Sequence, residues 1–411
     1  MDTLKSMSNN MKQSESKDGQ IQALLGWNDL IYKEAKTASL ITARHFERFN
    51  AQNLNYTSSS SSMDFLFSTG DQMLDGDNSW IQFNLNVDAT GVNTYDFGNG
   101  SVMNLFRTAI LHSRQGDEVD RIDDVGIYRA NADYERAENY FITSGTAMGY
   151  GVTYDVGTSY RFQVPLCACL NIFGTGRLIP AQLISGARLQ LDLAPISSKR
   201  VFAFDAAATD ISYSISNAEI VVRTSRPTDE TSRELEKQAA ANGLEFSWPA
   251  VYSQKHNVTT QISEQVSKSV ARALRLYVVP LERPANDYTD CVVVPTGVEF
   301  SNAQARAGSL YMPQYRLSQD DVFQHNLCAL DKVKEPIRYS KSGAEAEGLC
   351  WITDLESHNL IHYAGQSLNN SRSLVVESTF NAPSNTDRDC HLFLTYQRVS
   401  RAFMNSIAVD S

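Results

Sequence analysis

The feature that most constrains this chain is a period of two. In Trp80-Ile-Gln-Phe-Asn-Leu-Asn-Val87 the odd positions are apolar, and the even positions from Gln82 onward are polar. Successive side chains of an extended strand point to opposite faces, so this pattern places one face in a core and the other in water. It recurs in Arg188-Leu-Gln-Leu-Asp-Leu193 and in Ile211-Ser-Tyr-Ser-Ile215. Further strands are expected over 273–279, 373–380 and 391–396. Tyr and Phe, at 18 each, add to the β bias. Many short alternating strands separated by irregular loops indicate antiparallel sandwiches or barrels rather than a parallel βαβ sheet.

Two segments break the pattern. Val102, Leu105, Phe106, Ala109 and Ile110 fall on one face of a helix, which predicts a helical insertion there. A second helix is expected from about Pro227 to Asn242. Pro227 or Thr228 suits its first turn, Asp229 and Glu230 suit its N-terminal dipole, and Asn242-Gly243 suits its end. It stands mid-chain with strands on both sides. The 411 residues suffice for two or three domains. The expected division is an N-terminal arm over 1–55, partly disordered, a first β domain over 56–226, a linker helix over 227–243, and a second β domain over 244–411. Within the arm, a helix around Ile21, Leu24, Leu25 and Leu30 is weakened by Gly26. The Ser-rich run Thr57 to Ser62 reads as a linker.

Charge and targeting narrow the function. The net charge is −11 and no basic run offsets it, which disfavours tight binding to phosphate backbones. The polar first twenty residues lack the apolar core of a signal peptide, and no stretch reads as a membrane span. Six scattered cysteines read as reduced thiols, and the four sequons at Asn55, Asn99, Asn257 and Asn369 as unmodified.

The candidate chemical groups each have a plainer reading. His358 and His362 have zinc-helix spacing, but the motif lacks the metalloprotease glutamate, so packed or surface histidines are expected. Cys167 and Cys169 read as small core residues in a strand, with no second pair to close a metal site. Gly174-Thr-Gly176-Arg177 is a turn, since no phosphate-loop lysine or helix follows. Asp117, Glu118, Asp120, Asp123 and Asp124 lack calcium-loop spacing and read as a solvated loop, with a cation shared between subunits as a second reading. Lys268, Arg272 and Arg275 alternate with buried positions and suit intersubunit ion pairs better than phosphate contacts. Phe65, Phe67, Tyr311, Tyr315 and Phe403 read first as core and second as interface anchors. No catalytic, cofactor-binding or metal residue is therefore assigned, and no enzyme is expected.

Several segments together resemble the double jelly-roll major capsid proteins of polinton-like viruses, adintoviruses and virophages. They are Val164-Pro-Leu-Cys-Ala-Cys-Leu-Asn-Ile-Phe-Gly174 with Leu178-Ile-Pro-Ala-Gln-Leu-Ile-Ser-Gly-Ala-Arg-Leu-Gln-Leu-Asp-Leu193, and Tyr213-Ser-Ile-Ser-Asn-Ala-Glu-Ile-Val-Val222 before the helix. Downstream are Ser267-Lys-Ser-Val-Ala-Arg-Ala-Leu-Arg-Leu-Tyr-Val-Val279, Ala307-Gly-Ser-Leu-Tyr-Met-Pro313, Ser367-Leu-Asn-Asn-Ser-Arg-Ser-Leu374 and Tyr396-Gln-Arg-Val-Ser-Arg-Ala-Phe-Met-Asn-Ser406. Their order over about 160–411 carries the likeness. It implies two consecutive eight-stranded jelly rolls with a linking helix, and a homotrimer that forms a pseudo-hexameric capsomer. It further implies an icosahedral virion shell, assembled in the host cytoplasm or nucleus, that encloses double-stranded DNA without gripping it. Penton and minor capsid proteins are the implied partners. The competing readings are a jelly-roll binding module of lectin or adhesin type and a minor capsid protein.

Overall fold

A computed structural model describes residues 41–133, 140–284, 287–295, 298–330, 350–355, 367–368, 373–381, 387–403 and 407–410. Two β units follow one another along the chain. The first holds β1 (Ile41–Asn50), β2 (Asn55–Thr57), β3 (Ser62–Leu66), β4 (Met73–Thr90), β5 (Thr94–Asp96), β6 (Phe106–His112), β7 (Glu118–Asp123), β8 (Tyr154–Asp155), β9 (Ser159–Pro165), β10 (Leu178–Ile179), β11 (Arg188–Leu193), β12 (Ala203–Phe204) and β13 (Thr209–Pro227). The second holds β14 (Leu244–Val258), β15 (Gln261–Gln265), β16 (Ala273–Glu282), β17 (Glu299–Ala307), β18 (Leu310–Leu317), β19 (Trp351–Asp354), β20 (Leu374–Asn381), β21 (Arg388–Ala402) and β22 (Ile407–Asp410). The longer helices are α1 (Val125–Ala132), α2 (Asp229–Ala241) and α3 (Gln319–Leu330).

In the first unit one sheet runs β1-β13-β4-β10, with β2 on β13 and β9 on β4, and a second runs β3-β11-β6-β7. A small third sheet runs β12-β5-β8. The chain crosses between sheets at β2 to β3, β3 to β4 and β10 to β11. The period of two is realised as expected. Phe83, Leu85 and Val87 of β4, Tyr213 and Ile215 of β13, and Leu189 and Leu191 of β11 are all buried. Burial of each such side chain contributes about 1.5–3 kcal/mol. Phe83 meets Phe106 of β6 edge-on at 6.0 Å, which joins the two sheets. The long β4–β13 ladder shifts register between Ser216 and Glu219, and Asn217 at that bulge takes φ 52°.

The second unit repeats the plan, with sheets β14-β21-β16-β19 (β22 on β21) and β15-β20-β17-β18. Consecutive strands β14 to β17 and β19 to β21 alternate between its sheets. No ladder among the described residues joins a strand before α2 to one after it.

Helix α2 stands where its end signals place it. Thr228 is the N-cap, its hydroxyl accepting from the Thr231 amide, and Asp229 and Glu230 occupy the first turn. Pro227 ends β13 rather than opening the helix. Gly243 follows the last turn at φ 77°, a backbone region that L side chains avoid, and a Cβ there would lie 3.0 Å from the Phe403 ring.

Three local expectations are corrected. Only Val102–Leu105 is helical, as a 3-10 turn capped by Ser101, and Phe106–His112 is β6, hydrogen-bonded to β11 on one side and β7 on the other. A short apolar run supports either period, and two flanking ladders decide for the strand. Thr57 to Ser62 is a tight crossing between sheets rather than a linker: the Ser58 amide donates to the Tyr213 carbonyl and the Thr57 amide to Ser60 Oγ. Within the segment read as an arm, Ile41–Asn50 is strand β1, laddered on β13, while Ile21, Leu24, Leu25 and Leu30 lie outside the described residues.

Candidate functional site

The seam between the two units concentrates buried polar groups. Strand β7 delivers Asp120 and Asp123, the chain then turns at Asp124 (φ 52°), and α1 begins. Tyr128 of α1 packs on Tyr277 of β16 and Phe393 of β21, with ring centroids 5.9 and 5.4 Å away. The Asp124 carboxylate stands 3.1 Å from His391 Nδ1 of β21. Arg200, from the loop after β11, bonds the Val292 and Glu282 carbonyls and Asp389 Oδ2, the last at 3.1 Å. Asn171 donates to the Pro249 carbonyl at 2.9 Å, and Ser253 Oγ to that of Asp123 at 3.0 Å. Gly98 lets the loops meet, since a Cβ there would fall 2.6 Å from the Cys291 carbonyl oxygen.

These contacts leave an electrostatic signature. Burial pushes Arg200 down from its usual range, opposed by Asp389, and a guanidinium so shifted stays charged. Burial would raise Asp389, but the Lys255 ammonium at 2.9 Å and Arg200 outweigh it and hold the carboxyl below its usual range. Asp124 is likewise held low, its burial outweighed by His391, Lys255 and Arg200. Asp120 goes the other way. Complete burial pushes its carboxyl up to about 6, against the pull of the Trp248 indole and Arg398.

The residues singled out in the sequence scatter. Asp117, Glu118, Asp120, Asp123 and Asp124 do not form a solvated loop. Glu118–Asp123 is strand β7, Asp120 is buried, and Asp123 is bonded by Arg121 Nε at 3.0 Å. Cys167 and Cys169 sit on one helical turn, Leu166–Cys169, not in a strand, because Pro165 ends the preceding ladder at Trp80. Cys169 is buried, and burial pushes its thiol up to about 12. Gly174 and Gly176 form a turn, the Gly176 amide donating to Asp77 at 2.8 Å. His358 and His362 lie outside the described residues. Arg275 bonds the Ala329 carbonyl within the chain, and Lys268 stands over the Tyr396 ring. Phe65 and Phe67 are core, whereas Tyr311 and Tyr315 are exposed on edge strand β18, against the core reading. Among the described residues no cluster of three or more His, Cys, Asp or Glu could hold a metal ion, and no helix is long and apolar enough to cross a membrane.

Arg200, Asp389 and His391 were not singled out in the sequence. They belong to no motif, and only the docking of the units brings them together.

No family model and no curated protein sequence matches the chain. Solved structures do. The Faustovirus major capsid protein aligns at TM-score 0.60 and 9% identity, covering 90% of this chain and 92% of its own. The mavirus major capsid protein aligns at 0.55 and 11% identity, covering 92% and 93%. A chain of the Sputnik virophage aligns at 0.61 and 10% identity, covering 91% and 89%. The fold is the double jelly roll of viral major capsid proteins. The polar seam is the contact between the strands up to β13 and those from β14 onward, which no ladder among the described residues joins. At these identities the likeness speaks for the fold, and function has to be argued from surfaces.

Proposed function

We propose that this protein is a major capsid subunit that trimerises into pseudo-hexameric capsomers and builds an icosahedral shell around double-stranded DNA. The observation that carries the reading is the double jelly roll, matched over about nine-tenths of both chains by viral major capsid proteins. The surfaces fit it. Sheet edges expose large apolar side chains, namely Phe46 on β1, Leu66 on β3, and Leu310, Tyr311 and Tyr315 on β18. Exposed apolar edge strands are aggregation hazards unless a partner covers them. A net charge of −11 suits a wall that surrounds DNA without binding it tightly.

In this reading the first jelly roll begins with β1 and ends with β13, the second runs over 244–411 with the linker helix between them, and the residues before β1 serve as the arm. The arm joins neighbouring capsomers, penton and minor capsid proteins complete the shell in the virion, and no residue serves catalysis. An obligate trimer buries on the order of 2,000–5,000 Å² per interface. Light scattering with negative-stain imaging tests the proposal. A stable species of three 45.7 kDa chains, imaged as hexagonal tiles, is the expected result. A monomer at every concentration, with no tiles, would move a lectin-like binding module to the front.

A further inference from the structure

The two units share one strand plan. In the first, β1-β13-β4 lies in one sheet and β3-β11-β6-β7 forms the other; in the second, β14-β21-β16 and β15-β20-β17-β18 stand in the same order. In each unit the last strand of the second sheet leads into a helix, β7 into α1 and β18 into α3. By position, β14 therefore corresponds to β1, β18 to β7 and α3 to α1.

The seam joins parts that do not correspond. β7 and α1 of the first unit dock on the outward face of β14-β21-β16, where Tyr128 packs on Tyr277 and Phe393 and Ser253 Oγ donates to the Asp123 carbonyl. A contact between two unlike surfaces, in a chain that carries each of them twice, uses one of each and leaves one of each over. What is left over is the outward face of β1-β13-β4 at one end, and β18 with α3 at the other.

Both leftover surfaces are built like halves of an interface. Ile81 and Ile220 point into the core, so their neighbours Trp80 and Val221, paired across the ladder, face outward. Phe46 of β1 packs on Trp80 with ring centroids 5.6 Å apart, and Phe46 is 57% exposed. Beside the two rings, Arg48 and Arg161 approach Glu219 at 3.8 and 3.7 Å. An apolar centre with a charged rim is the anatomy of a protein contact. On β18, Tyr311 and Tyr315 are exposed. The β17–β18 ladder breaks register between Ala303 and Ala305, so β18 is a poor template for a further strand and offers side chains instead. Tyr, Trp and Arg are the residues that carry most binding energy at such contacts.

We propose that β18 and α3 of one chain dock on the outward β1-β13-β4 face of a second copy, with Tyr311 and Tyr315 against Phe46 and Trp80. The contact between chains then repeats the contact within the chain. It is head-to-tail: every chain gives one half and receives the other, and a ring closes when the last chain meets the first. The inference rests on the capsid reading, which supplies the number of copies.

Light scattering of Phe46→Asp, Tyr315→Asp and their equimolar mixture tests it, with near-UV circular dichroism to verify that both variants stay folded. Wild type has the mass of three 45.7 kDa chains, and each variant alone the mass of one. The mixture yields a species of two chains, because β18 of the Phe46→Asp chain meets an intact sheet face on the Tyr315→Asp chain. A contact of like with like, Phe46 on Phe46, would leave the mixture monomeric, and that result would overturn the proposal. A wild-type trimer that neither substitution dissociates would overturn it too, and would leave the capsid reading standing. A monomeric wild type would remove both. In the wild-type background, a benzophenone side chain placed at position 315 cross-links to residues 41–50 or to Trp80 of a second chain; interchain cross-links confined to other segments would count against the docking.

Discussion

Strands β13 and β21 are both long, and both are central to a sheet, yet their burial differs. From Ser212 to Ser216, β13 alternates between buried and partly exposed positions. From Arg388 to Tyr396, β21 is buried at every position. The difference lies in what covers each strand. The second face of β13 is open around Ser214 and Ser216. The second face of β21 carries Asp389, His391 and Phe393, which meet Arg200, Asp124 and Tyr128 of the other roll. Cys390, Leu392 and Leu394 point the opposite way, into their own unit. The contact between rolls is thus asymmetric: the first contributes the edge strand β7, helix α1 and loops, the second a sheet face. A sheet buried on both faces loses its alternation.

The largest test breaks that symmetry argument directly. In β21, Phe393→Ala and Leu394→Ala should each destabilise the protein by about 3–5 kcal/mol, although they face opposite ways. In β13, Ile215→Ala should cost about 3 kcal/mol while its neighbour Ser214→Ala stays within ~0.5 kcal/mol. Urea unfolding of the four variants measures this, and a near-neutral Phe393→Ala would show that the seam face of β21 is not packed.

Next in size is the ion pair between the rolls. Arg200→Met leaves Asp389 with one cation and two carbonyls without their donor, and should cost about 3 kcal/mol. If the seam couples the rolls, calorimetry of this variant should also separate one unfolding transition into two. An unchanged single transition would mean that other contacts hold the rolls together.

Asp120 gives the seam a pH dependence of known sign. Its carboxyl is raised from 3.8 to about 6, so the folded state binds the proton more tightly than the unfolded chain. The stability it contributes in acid is therefore lost as pH rises from about 4 to about 6, on the order of 2–3 kcal/mol. Asp120→Asn should match wild type near pH 4 and exceed it above pH 6. A constant difference between the two across this range would show that Asp120 does not titrate there.

The smallest effects fall outside both regions. Thr228→Ala removes the cap of α2 and should cost about 1 kcal/mol, read from the same urea curves. Tyr315→Ser should change subunit stability by less than ~0.5 kcal/mol, because the ring is 63% exposed. It should nonetheless shift the trimer towards monomer in light scattering. Unaltered association would remove Tyr315 from the proposed contact.

What the sequence determined by itself is local. Alternation in Trp80–Val87, Arg188–Leu193 and Ile211–Ile215 specifies strands with one buried face, because side chains on an extended backbone must alternate. Thr228, Asp229, Glu230 and Gly243 specify where α2 starts and stops, because the groups they satisfy lie within one turn of themselves. The ordered segments beyond residue 160 sufficed to indicate the double jelly roll. The tertiary structure alone decided the rest. Phe106–Ile110 became a strand because ladders waited on both sides. Asp120 left the solvated loop expected of an acidic run because β14 packs against β7 at Trp248. Arg200, Asp389 and His391 carry no sequence signal, being some 190 residues apart or embedded in an apolar run. Their meaning comes from the docking of two separately patterned units, which a one-dimensional pattern does not encode.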